Sequence, residues 1–131
     1  MIFLTGATGF IGRHIAKQLC DAGLPVRALV RHLPVKTDYY HIFKHRNIEM
    51  VEGDVLSTHI EAARGCNTII HLVGIIRETR SISFYEAHVA ATANMIEAAK
   101  KNGIKRFIHM SALGTRPDAV AEYHQTKWQA E

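Results

Sequence analysis

The sequence predicts an α/β fold, a doubly wound parallel sheet with strand order 3-2-1-4-5. Three observations carry that expectation. The stretch 2–12, IFLTGATGFIG, runs from an apolar strand through a glycine-rich turn into an amphipathic helix. Short β-branched runs then alternate with helical periodicity along the chain, the pattern of parallel strands joined by right-handed crossovers. The run TIIHLV at 68–73 is almost wholly apolar, as befits a strand covered on both faces.

Each glycine of the first turn has its own task. Gly6 permits a sharp turn, Gly9 admits a diphosphate where a Cβ would otherwise stand, and Gly12 lets the following helix lie close to the strand. The helix N-terminus adds unpaired N–H groups and a positive dipole end, both suited to an anion. The spacing is GxxGxxG, not the GxGxxG of two-domain dehydrogenases. The competing reading is a plain structural turn. The strand before it and the helix after it favour a dinucleotide site.

The remaining elements follow in order. The first helix is expected over 13–21, with Ala22-Gly23 as its stop. A second strand is expected over 25–30, where Pro25 is tolerable at the first position. Residues 31–37, with Pro34, read as a loop, 38–46 as a short helix and 47–51 as a third strand closed by Glu52-Gly53-Asp54. A short helix over 57–64, capped by Ser57 or Thr58 and stopped by Gly65, leads to the fourth strand at 68–73. After a loop at 74–80, Ser81 or Ser83 opens the longest helix. Its inner face is Phe84, Ala87, Ala91, Met95, Ala98 and Ala99, and Asn102-Gly103 stops it. Alanines on that face place it close against a sheet. The fifth strand is 106–110, 111–120 is a loop, and the chain is helical again from Glu122. This topology puts a crevice between the first and fourth strands. Chemically promising residues then gather at strand carboxyl ends: residues 6–12, Arg31, Asp54, Val73-Gly74 and Ser111.

At 131 residues and 47% hydrophobic content the chain reads as one dinucleotide-binding domain, 1–131. The formal charge is +4 and the isoelectric point about 9.3, but basic residues are interleaved with acidic ones, so nothing marks a nucleic-acid surface. Cys20 and Cys66 lack CxxC spacing and read as reduced, buried thiols. Met1 leads straight into the first strand, leaving no room for a leader, and no apolar run approaches the ~18 residues of a membrane span. A cytoplasmic protein is expected.

The end of the second strand bears on cofactor choice. NAD-binding folds place a carboxylate there to hold the ribose 2′-hydroxyl, whereas this strand ends Ala28-Leu29-Val30-Arg31 with His32 next. Arg31 offers a planar fork of donors to a 2′-phosphate, and Arg13 is placed to add a second charge to that corner. NADP(H) is therefore expected over NAD(H). The alternative is that Arg31 is a solvent-exposed loop residue.

Three further motifs, HLVGIIRE at 71–78, HMSALG at 109–114 and YHQTKWQAE at 123–131, complete the picture. With the glycine turn, they make the whole chain resemble the N-terminal part of an extended or atypical short-chain dehydrogenase/reductase, a Rossmann fold. The nearest branch is that of the NADPH-binding accessory subunit of respiratory complex I and its bacterial relatives. The resemblance implies Gly6, Thr8, Gly9, Phe10, Ile11 and Gly12 under the diphosphate, Asp54 and Val55 at the adenine, and Leu72, Val73 and Gly74 along the ribose. It also implies a catalytic group of Ser111, Tyr123 and Lys127. Tyr123 and Lys127 are four apart, so on a helix they share a face, and an ammonium beside a phenol favours the phenolate. Such a tyrosine exchanges a proton with a substrate hydroxyl or carbonyl, and Ser111 would hold the same oxygen.

The sequence departs from the family at AHVAAT, 87–92, where many members carry asparagine and glycine in place of His88 and Ala91. It also stops at Glu131 inside a helix, before the further strands and substrate subdomain of the relatives, so a truncated sheet, incomplete at its C-terminal end, is expected. The outer edge of the fifth strand should then drive self-association. Two functions stay open: an NADP-dependent oxidoreductase or sugar-nucleotide epimerase acting on a small molecule, and a non-catalytic NADPH-binding module of a larger assembly.

Other residues have plainer readings. His41 and His45 are four apart, but without a third ligand at motif spacing they read as a solvated face, and no metal site is expected. His71 and His109 read as hydrogen-bonded core or crevice residues, Arg27 as a surface or strand-edge charge, and Asp54 also as a turn cap. Arg77, Glu78 and Arg80 read as a solvated loop over the crevice mouth, and Trp128 as packing against the missing part of the fold.

Overall fold

The computed structural model describes residues 1–33, 40–45, 47–57 and 60–131. The expected loop around Pro34, the start of the short helix at Asp38, its end at Arg46, and the cap Thr58 lie outside the described residues. Five strands, β1 (Ile2–Thr5), β2 (Val26–Val30), β3 (Ile48–Glu52), β4 (Thr68–His71) and β5 (Arg106–His109), pair in parallel in the order β3-β2-β1-β4-β5. That is the doubly wound Rossmann order expected from the alternation of elements.

Side-chain alternation along the strands builds two apolar layers. Leu4, Val26, Ala28, Val30 and Ile70 face one side, where Ala16 and Cys20 of α1 (Phe10–Asp21) and the 3₁₀ turn Tyr40–Lys44 cover them. Phe3, Leu29 and Ile69 face the other, under Met95, Ala98 and Ala99 of α2 (Ala91–Lys101). Cys20 and Cys66 are free and buried, and burial raises both thiols above their usual range.

The expected starts and stops shift in three places. Helix α1 begins at Phe10 rather than residue 13, because Gly9 is the N-cap and its carbonyl accepts the Arg13 N–H at 3.1 Å. Of the helix expected over 57–64, the described residues show one 3₁₀ turn, Glu61–Ala63. Side chains of the longest helix bond the backbone ahead of that turn: Asn94 donates to the carbonyls of Val55 and Leu56, and Asn102 to that of Ile60. The Ser57 N–H closes a turn on the Asp54 carbonyl at 3.1 Å. The longest helix opens as a reciprocal capping box, with Ser83 N–H on the Glu86 carboxylate at 2.8 Å and Glu86 N–H on Ser83 Oγ at 3.2 Å. Its first turns, Tyr85–Ala90, are π-helical before α2 proper. Thr92 Oγ1 donates to the His88 carbonyl at 2.6 Å, which loosens the α ladder at that turn.

Arg27 corrects the expectation of a surface charge. It lies on a central strand, pairs Glu49 at 3.1 Å, and its guanidinium donates to the carbonyls of Ala62 and Arg64 at 3.0 and 2.7 Å. It therefore ties the 3₁₀ turn to the sheet. The last helix, α3 (Glu122–Ala130), packs on the π-helical turns, on the α2 side of the sheet. On β5, Ile108 is half exposed.

Candidate functional site

A cleft of about 840 Å³ opens at the carboxyl ends of the strands, within the size range of sites that enclose small-molecule cofactors. Its floor is the turn after β1. Gly6 has φ +75°, and a Cβ there would come within 3.1 Å of the Leu72 carbonyl carbon and the Val73 nitrogen, so the turn and the end of β4 touch backbone to backbone. Gly12 is tighter, since its Cβ would stand 2.0 Å from the Gly6 oxygen and 2.8 Å from Ala7 Cα. Gly9 donates to the Gly6 carbonyl at 3.0 Å. These glycines hold the start of α1 against the turn, with its first-turn N–H groups directed at the cleft end of the sheet. That cradle, closed to any Cβ at Gly6 and Gly12, fits a diphosphate.

Of the residues expected at the cofactor, Gly6, Thr8, Gly9, Arg31, Asp54, Val55, Leu72, Val73 and Gly74 line the cleft. Phe10, Ile11, Gly12 and Arg13 do not. Phe10 and Ile11 turn their side chains to solvent, leaving only backbone N–H groups to offer, and Gly12 is buried in the turn contact. The Arg13 guanidinium lies over the Phe10 ring at 4.8 Å and its Nε donates to His14. Asp54 does both things proposed for it: it lines the cleft, and its Oδ1 accepts the Leu56 N–H at 2.9 Å as a turn cap.

Leu29, Val30, His32, Leu33, Gly53, Ile75 and Ile82 also form the wall and were missed from sequence. Ile82 reaches it because Thr79 and Ile82 pair in an antiparallel bridge that folds the loop after β4 back on itself. The Glu78 carboxylate accepts the Phe84 N–H at 2.7 Å, anchoring that loop to the longest helix. Only the three residues between Thr79 and Ser83 in the chain hinted at such a turn.

The inner end of the cleft meets Lys127. Its ammonium is buried and donates to the Met110 carbonyl at 2.8 Å, and a Cβ on Gly74 would stand 3.1 Å from Nζ. Burial lowers its pKa from the ordinary lysine value, and the Glu131 carboxylate opposes that shift. One turn earlier, Tyr123 is half-buried in an aromatic group, edge-on to Phe84, His88 and His124 with centroids 5.8, 5.3 and 5.0 Å away. Ser111 is exposed at the end of β5, and its hydroxyl donates to Glu131.

Thr5, His71 and His109 are register partners on β1, β4 and β5. His71 is fully buried, shares a 2.7 Å hydrogen bond between Nδ1 and Thr5 Oγ1, and stacks on His109 at 5.8 Å. Its Nε2 and both His109 nitrogens have no hydrogen-bond partner among the described residues. Burial first, then His109 and Lys127, push the His71 pKa down to about 3. Burial and Lys127 likewise lower that of His109. Among the described residues no group of three or more potential metal ligands gathers, and no helix is long and apolar enough to cross a membrane.

Comparison with known proteins fits this geometry. The profile of an NAD(P)H-binding family matches residues 6–131. The chain is 31% identical over 129 residues to a ceramide reductase of Caulobacter vibrioides, covering 97% of this chain and 39% of that protein. It is 31% identical over 134 residues to the mitochondrial 40 kDa subunit of NADH-ubiquinone oxidoreductase of Neurospora crassa, covering 96% of this chain and 34% of the relative. The chain thus spans little more than a third of the length of these relatives. Uronate dehydrogenase from Agrobacterium tumefaciens superposes with a TM-score of 0.76 at 23% identity, over 98% of this chain and 52% of that one, a likeness of fold. With the glycine turn and the sheet order in agreement with that profile, the chain is a member of the NAD(P)H-binding family.

Proposed function

We propose that this chain is the cofactor-binding part of an NADP-dependent oxidoreductase or epimerase of a small molecule. The observation that carries the reading is the layout of one cleft, with Arg31 and His32 at one end and Gly74, beside the Lys127 ammonium, at the other. The Arg31 fork takes a ribose 2′-phosphate at the adenine end, where the end of β2 carries no carboxylate to repel it. Bound nicotinamide supplies hydride chemistry. Tyr123 moves a proton to or from the substrate oxygen, with Lys127 one turn away favouring its phenolate, and Ser111 holds that oxygen once released from Glu131.

The deciding experiment is a titration of NADPH and NADH side by side, repeated on Arg31→Asp. Tighter binding of NADPH, lost or reversed in the variant, supports the reading; equal affinities, or NADPH binding indifferent to the variant, refute it.

A second reading is favoured by one likeness, that to the mitochondrial 40 kDa subunit of NADH-ubiquinone oxidoreductase. In it the bound dinucleotide stabilises a non-catalytic module of a larger assembly. Both readings place the protein in the cytoplasm or an equivalent reducing compartment, consistent with two free cysteines. They differ over partners: a small substrate in the first, another protein or a second copy along the open edge of β5 in the second.

A further inference from the structure

We propose that His88 is a positioning residue whose imidazole clips the loop at Ile75 to the helix carrying Tyr123 and Lys127, so that the inner end of the cleft and the proton-transfer groups move as one unit. This rests on the reading of that end of the cleft as the place of chemistry.

The clip uses both ring nitrogens. Nδ1 lies 2.8 Å from Thr126 Oγ1 on α3, and Nε2 lies 3.2 Å from the Ile75 nitrogen and 3.1 Å from its oxygen. Thr126 has one hydroxyl proton, and the Glu122 carbonyl stands 2.9 Å away to accept it. In one neutral tautomer Nδ1–H donates to Thr126 Oγ1 and Nε2 accepts the Ile75 N–H; in the other Nε2–H donates to the Ile75 carbonyl and Nδ1 accepts the Thr126 hydroxyl. Either neutral tautomer therefore bridges Ile75 and Thr126. The imidazole is fully buried, stacked on Phe84 at 5.5 Å and edge-on to Tyr123 at 5.3 Å. Burial, with Lys127 beyond it, lowers its pKa to about 4, so the ring stays neutral at physiological pH.

Neighbouring backbone fixes the ring in place. The π-helical turn carries His88, and Thr92 Oγ1 holds its carbonyl at 2.6 Å. A Cβ on Gly74 would stand 3.5 Å from His88 Nε2 and 3.1 Å from Lys127 Nζ, so His88, Lys127 and the cleft residue Gly74 pack against one another. An asparagine, common at this position in the family, has a side chain too short to span from Ile75 to Thr126. Histidine adds an arm to the catalytic helix.

The test uses the chain itself with Thr126→Val, which removes only the α3 arm, and His88→Asn, which keeps a polar group only for Ile75. Imidazole ¹⁵N spectra at pH 7 should show His88 as a neutral ring held in a single tautomer. Both variants should speed amide exchange across α3 and weaken NADPH about tenfold, the worth of one hydrogen bond. ADP-ribose, which lacks the nicotinamide, should bind within about twofold of the unmodified chain. Equal losses for the two ligands would show a merely structural residue and overturn the proposal. So would unchanged exchange in Thr126→Val, or a ring that is charged at pH 7 or averages between the two tautomers. If the unmodified chain binds neither ligand, the dinucleotide reading falls, while spectra and exchange still decide whether the clip exists.

Discussion

Gly12→Ala tests the physical basis of the glycine turn most directly. Its new Cβ would stand 2.0 Å from the Gly6 carbonyl oxygen and 2.8 Å from Ala7 Cα, where real Cβ contacts essentially never fall below 3.0 Å. Helix α1 and the turn must therefore separate by about 1 Å, and the obstructing atoms are backbone, which cannot swing aside. Overpacking of that kind costs about 3 kcal/mol, and the helix propensity of alanine over glycine returns about 1. A net loss of about 2 kcal/mol should lower the midpoint of thermal unfolding by roughly 6–10 °C in a domain of this size. Because the displaced turn is the floor of the cleft, NADPH affinity should fall at least tenfold, about 1.4 kcal/mol. Gly23→Ala is the control: at φ +76° with nothing near its Cβ, it should cost about 1 kcal/mol of left-handed strain and leave binding untouched. Thermal denaturation followed by circular dichroism, with a parallel NADPH titration, decides. A Gly12→Ala variant within 2 °C or so of the parent, binding normally, would refute the close-contact argument.

Three further outcomes are expected. Arg27→Met removes donors to two carbonyls and the Glu49 pair, and should cost about 3 kcal/mol in urea unfolding without altering nucleotide binding. Because the folded pKa of His71 lies below its ordinary value, the unfolded chain takes up the extra proton. Stability should be level above pH 6.5 and fall as pH drops from there toward about 3, by roughly 1.4 kcal/mol per pH unit from this ring alone; a flat profile between pH 7 and pH 5 would count against its burial. Tyr123→Phe should abolish most of any turnover yet leave NADPH affinity within about twofold, whereas lost binding would mean that Tyr123 serves the cleft instead.

What could be read from the sequence was whatever repeats locally. Strand order followed from alternating elements, and the turn at Gly6 and Gly12 from its flanks, because each depends on neighbours a few residues away. Long-range side-chain bonds were hidden. Arg27 looked like a surface charge because the carbonyls it holds lie 35 and 37 residues on. That Asn94 and Asn102, far along the chain, hold the carbonyls of Val55, Leu56 and Ile60 could not be read from those residues' own neighbours. The π turn could not be read from a run of alanines at helical spacing. For the cleft, Arg31, Asp54 and Leu72 to Gly74 at strand ends were found, whereas their neighbours Leu29, Val30, His32, Leu33 and Gly53, and Ile75 and Ile82 of the loop after β4, were not.

The cleft also straddles a seam. The segment through β3 supplies the turn after β1, the Arg31 corner and Asp54; the segment from β4 onward supplies Leu72 to Ile75 and Ile82, with Lys127 packed against Gly74. In the sheet the two segments meet along a single strand pair, β1 on β4, four residues long. A dinucleotide lying across that line works as a splint, adding contacts that bridge the two sides of the domain. At a concentration one hundred times its dissociation constant it would add about 2.7 kcal/mol to the stability of the whole. Within the domain, the gain should be concentrated where the seam is thinnest, so amides of β1 and β4 should gain more protection on binding than those of β2 and β3.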